Sequence, residues 1–110
     1  MRIAEFVDER GVSPFAAWFD RLDPHSAAKV TVALTRIEQG NLSNVKSVGG
    51  GVSEIRLDFG PGYRLYVGRD GDCLIILLAG GTKRRQQQDI IKAQARWAQY
   101  RQAKKDSRWH

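Results

Sequence analysis

Residues 54–68 read Glu54-Ile55-Arg56-Leu57-Asp58-Phe59-Gly60-Pro61-Gly62-Tyr63-Arg64-Leu65-Tyr66-Val67-Gly68. Ile55, Leu57 and Phe59 alternate with Glu54, Arg56 and Asp58; beyond the glycine-proline-glycine turn, Tyr63, Leu65 and Val67 alternate with Arg64, Tyr66 and Gly68. A period of two marks a half-buried strand, and two such strands across a turn make an antiparallel hairpin. With Gly60-Pro61-Gly62 as a three-residue loop, Phe59 lies opposite Tyr63, Leu57 opposite Leu65 and Ile55 opposite Val67. A one-residue slip would set apolar against polar side chains, so the pattern selects this pairing. On the other face Asp58 meets Arg64 and Arg56 meets Tyr66. Glu54, Arg56, Asp58, Arg64 and Tyr66 therefore share one face. One reading is a solvated face laced by cross-strand ion pairs, each worth a few tenths to about 1 kcal/mol. The other is a site in which cations, carboxylates and a phenol stand together.

Downstream, Asp70-Gly71 is a two-residue hairpin signal. It sets Cys73 opposite Gly68, Ile75 opposite Tyr66 and Leu77 opposite Arg64. Leu74 to Leu78 is apolar on both faces and reads as a central strand. Gly80-Gly81-Thr82 ends it and caps a last helix over 83–104, with Ile90, Ile91, Ala95, Trp97, Ala98 and Tyr100 as its apolar face. Upstream, residues 41–51 read as a loop rich in Asn, Ser and Gly. Ser13-Pro14 and Asp23-Pro24 each place a capping residue before a proline at the first helical position. Phe15, Trp18, Phe19 and Leu22 then recur at helical spacing, and Ala27, Val30, Leu34 and Ile37 mark a second helix that Gly40 stops. Ile3 to Val7 is a short first strand. The order is β-α-α-β-β-β-α: an α+β fold with an antiparallel sheet packed against an N-terminal helical hairpin and a C-terminal helix.

The chain has 110 residues, enough for one core, and we expect one domain over 1–110. A single cysteine, Cys73, excludes an intrachain disulfide, and with only two histidines a zinc site is close to excluded. We expect neither metal nor cofactor. The first residues are not those of a signal peptide, and no run reaches the ~18–20 apolar residues of a membrane span. The expectation is a cytoplasmic protein with no membrane partner.

Charge gives the first functional pointer. The formal net charge is +6, with 18 basic against 12 acidic residues. Residues 1–45 carry five basic and six acidic side chains; residues 46–110 carry thirteen and six. A basic half on so small a protein suggests a polyanionic partner, although Lys104, Lys105 and Arg108 also suit a solvated tail. Lys83-Arg84-Arg85 stands at a helix start, where the dipole disfavours cations by a few tenths to ~1 kcal/mol each. Such local conflicts tend to mark function. Three cations beside the N–H groups of a helix start would seat a phosphate, and the emerging helix brings Lys83 toward Arg64 and Arg56. Lys46, on the preceding loop, is placed where it could reach a substrate. Cys73 and His25 read as packing and surface residues, and Gly49-Gly50-Gly51 lacks the context of a phosphate loop.

Taken together, Glu54-Ile55-Arg56-Leu57, Gly62-Tyr63-Arg64-Leu65-Tyr66, Gly80-Gly81-Thr82-Lys83 and Gln88-Asp89-Ile90 resemble the RelE/ParE toxin superfamily. They are most similar to its HigB-like branch, also called phage Gp49-like or addiction module killer proteins. Phe15-Ala16-Ala17-Trp18-Phe19 and Asp23-Pro24 fit the same branch. The resemblance implies a RelE-like fold and a bacterial toxin encoded beside an antitoxin, often of helix-turn-helix type. Many members enter the ribosomal A site and cut mRNA without a metal; ParE members instead poison DNA gyrase, and a relative without activity would only bind nucleic acid. In RNA-cutting members, basic residues of the middle strands and of the start of the last segment surround the scissile phosphate. Arg56, Arg64 and Lys83 occupy matching positions. Glu54 stands where RelE proteins carry a strand lysine and is the candidate general base. Asp89 lies near their catalytic tyrosine. His110 is available where some relatives use a C-terminal histidine. Tyr66 would stack on a base or hold Arg56, with Lys46, Arg84 and Arg85 as RNA contacts.

Overall fold

Both predicted helix starts form as capped turns. Ser13 is extended, and its hydroxyl accepts the Ala16 N–H at 3.1 Å; Asp23 caps the second helix by accepting the Ser26 N–H at 3.0 Å. The computed structural model, which describes residues 1–107, places α1 at Pro14–Phe19 and α2 at Pro24–Glu38. Gly40, at φ +85°, ends α2: its N–H bonds Ile37 O and the Asn41 N–H bonds Arg36 O, both at 2.9 Å. That paired closure needs a left-handed residue, which glycine supplies at least cost.

Five strands form one sheet in the order β1-β5-β4-β3-β2, with β1 at Arg2–Glu5, β2 at Val45–Gly49, β3 at Val52–Arg56, β4 at Tyr63–Asp70 and β5 at Leu74–Thr82. A 3-10 turn, Lys83–Arg85, leads straight from β5 into α3, Gln86–Ser107. The arrangement is consistent with a RelE-like fold. The sheet is antiparallel except at one edge, where β1 runs parallel to β5. One layer, under α1 and α2, holds Phe15, Val30, Ile37, Ile55, Leu65, Val67, Ile75 and Leu77. The other, under α3, holds Phe6, Val52, Tyr66, Ile76, Leu78 and Trp97.

Three expectations need correction. Residues 41–51 are not all loop: Val45–Gly49 form an edge strand, mostly exposed, with Lys46 opposite Glu54. The β3–β4 register is shifted by two, with Arg56 opposite Arg64, Glu54 opposite Tyr66 and Ile55 opposite Leu65. Phe59 leaves the ladder to pack against Tyr63, ring centroids 5.2 Å apart, and the Leu57 N–H bonds Tyr63 O at 2.9 Å. A shift of two keeps every side chain on its face, so alternation alone cannot detect it. The β4–β5 register is Asp70 opposite Leu74, because Gly71-Asp72-Cys73 form the turn, with Gly71 at φ +69°. Ile75 and Leu77 therefore face the α2 layer with Val67, not the α3 layer with Tyr66. Cys73 is exposed in that turn.

A bulge then follows. Val67 opposes Leu77 but Tyr66 opposes Ala79, so Leu78 is the extra residue, and Leu78 and Ala79 both join the α3 layer. Beyond the bulge Gly80 faces Trp18 and Gly81 faces Asp89; a Cβ at either glycine would overlap that side chain. These absent side chains let α1 and α3 approach the end of β5 from opposite faces.

Candidate active site

Of the hairpin's polar face, Arg56 and Asp58 stay solvated, but the part formed by Glu54, Arg64 and Tyr66 is covered. The start of α3 closes over it, leaving Glu54 5%, Arg64 6% and Tyr66 0% exposed. Glu54 has both oxygens engaged: Oε1 lies 3.6 Å from Arg64 Nε, and Oε2 accepts from Gln86 Nε2 at 2.8 Å. Gln86, the first residue of α3, thus ties the helix start to β3. Arg64 Nε, the Tyr66 hydroxyl and Asp89 Oδ2 are buried with no hydrogen-bond partner among the described residues. Burial, then the negative charges of Glu54 and Asp89, push the Tyr66 hydroxyl pKa far up, so Tyr66 stays neutral. Burial also raises the Asp89 pKa, against the opposing pull of Arg85, Lys92 and Arg96.

Arg56 differs from its partner. It faces Arg64 directly across the ladder, yet its side chain is 58% exposed, at the margin that α3 does not reach. Two like charges directly opposite are unfavourable. Here each has its own carboxylate: Asp58 lies 3.7 Å from Arg56, as Glu54 lies beside Arg64. The third cation arrives through the backbone. The Lys83 N–H bonds Gly62 O at 2.8 Å, which pins the 3-10 turn to the β3–β4 loop. Gly62, at φ +75°, leaves open the space between Lys83 Cβ and Arg64 Nη1; a Cβ there would lie 3.1 Å and 3.8 Å from them. Arg56, Asp58, Gly62, Arg64 and Lys83 line one open depression of about 390 Å³.

The structure therefore brings Arg56, Arg64 and Lys83 together and leaves Glu54 behind Arg64, out of the depression. Tyr66 has no exposed face on which a base could stack, and its ladder partner is Glu54 rather than Arg56. Lys46 is exposed on β2 and is not part of the lining. Arg84 is exposed on the turn, and Arg85 faces a second groove on the far side of β5. That groove also draws on Arg21, Lys92 and Arg96, which the sequence reading passed over. The spacing Arg85, Asp89, Lys92, Arg96 follows one helical face and is the signal that was available. His110 lies outside the described residues. Among the described residues no group of three or more His, Cys, Asp or Glu could hold a metal ion, and no helix is long and apolar enough to cross a membrane.

Fold and site together define a small, basic α+β protein with a cationic depression at the open end of its central hairpin. The chain belongs to the phage-derived Gp49-like family (DUF891), which matches over residues 17–101 and is related to the addiction module killer proteins of toxin-antitoxin systems. An uncharacterized protein of Haemophilus influenzae is 39% identical over 80 residues, covering 72% of this chain and 81% of that protein.

Proposed function

We propose that this chain is the toxin of a bacterial type II toxin-antitoxin pair. In this reading it is a HigB-like member of the RelE/ParE superfamily that cuts mRNA on the ribosome without a metal. The observation that carries the reading is the meeting of Arg56, Arg64 and Lys83 around one open depression. Family membership supports it.

The 2′-oxygen of an mRNA nucleotide attacks the adjacent 3′-phosphorus, and the bond from phosphorus to the 5′-oxygen breaks. The products are a 2′,3′-cyclic phosphate and a 5′-hydroxyl. Arg64 and Lys83 meet the charge that develops on the non-bridging oxygens, a role worth about 10²–10³ in rate per donor at comparable sites. Arg56 orients the phosphate from the exposed side. Asp58 is the carboxylate that lines the depression and takes the 2′-hydroxyl proton, while water supplies one to the leaving oxygen. Glu54 holds Arg64 in place instead of moving a proton. The ribosome supplies the alignment of attacking and leaving oxygens. Arg84, Arg85 and Lys46 extend the positive surface along the RNA. A cognate antitoxin of helix-turn-helix type covers this surface, and the pair acts in the bacterial cytoplasm.

The test is cleavage mapping by primer extension in a translating extract. Cuts that appear only with ribosomes present are expected. Intact mRNA with arrested DNA supercoiling would overturn the reading in favour of a gyrase inhibitor.

A further inference from the structure

β1 is shorter than the strand it borders. It pairs with Leu74–Leu77, and the Phe6 N–H still reaches Leu77 O at 2.9 Å before the chain turns away at Val7, which is 53% exposed. β5 runs on to Thr82. At Leu78, fully buried, the carbonyl is already taken by Arg96 Nη1 at 3.1 Å; from Ala79 to Thr82 the outer edge of β5 has no strand beside it among the described residues. An open strand edge is a template for pairing with another chain, and proteins commonly blunt or cover such edges. Here it is left as the floor of a groove of about 280 Å³ between α1 and α3. Trp18 packs on Gly80 from one side and Asp89 on Gly81 from the other. The walls carry Arg21, Arg85, Lys92 and Arg96 against the single carboxylate Asp89.

We propose that this groove takes an extended, acidic segment of a partner polypeptide, added as a strand along Ala79–Thr82. About four residues match that length, at roughly 3.3 Å per residue. Main-chain hydrogen bonds supply register, and alternate side chains turn toward the two walls. Acidic ones on the α3 side meet Arg85 and Lys92; acidic ones on the α1 side meet Arg21. A strand edge presents carbonyls as well as N–H groups, and an RNA backbone has phosphate acceptors but few donors for them. A polypeptide satisfies both kinds. The groove lies across the Lys83–Arg85 turn from the cationic depression, so its occupant would sit beside Lys83 without needing it. The proposal stands independently of the cleavage reading.

The experiment selects from a display library of random decapeptides on the full chain, then measures amide hydrogen exchange with the enriched peptides. The expected result is enrichment of acidic sequences with alternating apolar residues that slow exchange within Ala79–Thr82. Their affinity should fall at least tenfold in the Arg21→Glu/Lys92→Glu variant. Both substituted residues are exposed, and the variant should keep the wild-type melting temperature and any RNA cleavage the wild type shows. No enrichment would overturn the proposal, as would peptides that protect other segments or ignore the charge reversal. Protection of this edge by a single-stranded oligoribonucleotide and not by peptide would assign the groove to RNA and also overturn it.

Discussion

Replacing Glu54 by glutamine removes a charge and almost no volume, and so separates holding Arg64 from accepting a proton. The Arg64 and Glu54 side chains are 8% and 6% exposed, with Arg64 Nε 3.6 Å from Glu54 Oε1. At an effective dielectric constant near 20, that separation corresponds to an attraction of about 5 kcal/mol. Breaking a buried pair by removing one partner typically costs about 3–5 kcal/mol, because the remaining charge is stranded. Gln86 still finds an amide oxygen to bond, so the loss comes from charge alone. We expect Glu54→Gln to cost about 3 kcal/mol, a melting-temperature drop of about 12 °C for a chain of this size. Urea unfolding of Glu54→Gln, Arg64→Met and the double variant measures it. The double variant should be much less destabilised than the sum of the singles, since no charge is stranded. Additive losses, or a cost below about 1 kcal/mol for Glu54→Gln, would refute the buried-pair account. Residual cleavage by Glu54→Gln should keep the wild-type pH profile; loss of its rising acid limb would make Glu54 the proton acceptor after all.

Packing and titration give two further outcomes. Gly68→Ala places a methyl group into the Trp97 ring at ordinary φ, so it should lower the urea midpoint at unchanged slope, by about 1–3 kcal/mol of overpacking. Asp89→Asn should raise the melting temperature at pH 7. Burial raises the folded-state pKa of Asp89 above its unfolded value, so the native state binds more protons across that interval and stability falls as pH rises through it. The gain from asparagine should therefore vanish once pH drops below the unfolded pKa of about 3.9, as thermal melts across the pH range would read.

The helices were legible because each start carries its own chemistry: Ser13 and Asp23 accept local N–H groups next to prolines, whatever they pack against. The hairpin was legible in its faces but not in its register. Alternation defines pairing only to within two residues, and Phe59 chose the Tyr63 ring over the ladder. Leu74–Leu78 carried no face information at all, since it is apolar on both sides, and the turn at Gly71 decided its orientation. β2 escaped because an exposed edge strand has little need of apolar residues. At the site, Arg56, Arg64 and Lys83 could be joined on paper because a strand pair and the exit of β5 already bring them to one end. What could not be read was which members of the polar face α3 buries. That depends on Gln86 and Gly81 admitting the helix, a long-range packing fact with no periodic signature.

The central claim is that Lys83 and the two arginines act on one phosphate. Lys83 is the cleanest of the three to remove, because it is exposed and its anchoring bond to Gly62 uses only backbone. We would measure single-turnover cleavage of mRNA on programmed ribosomes by the wild type and by Lys83→Ala, with melting temperatures alongside. The account predicts a loss of about 10²-fold in rate with the melting temperature unchanged. An unchanged cleavage rate in a folded Lys83→Ala protein would contradict it.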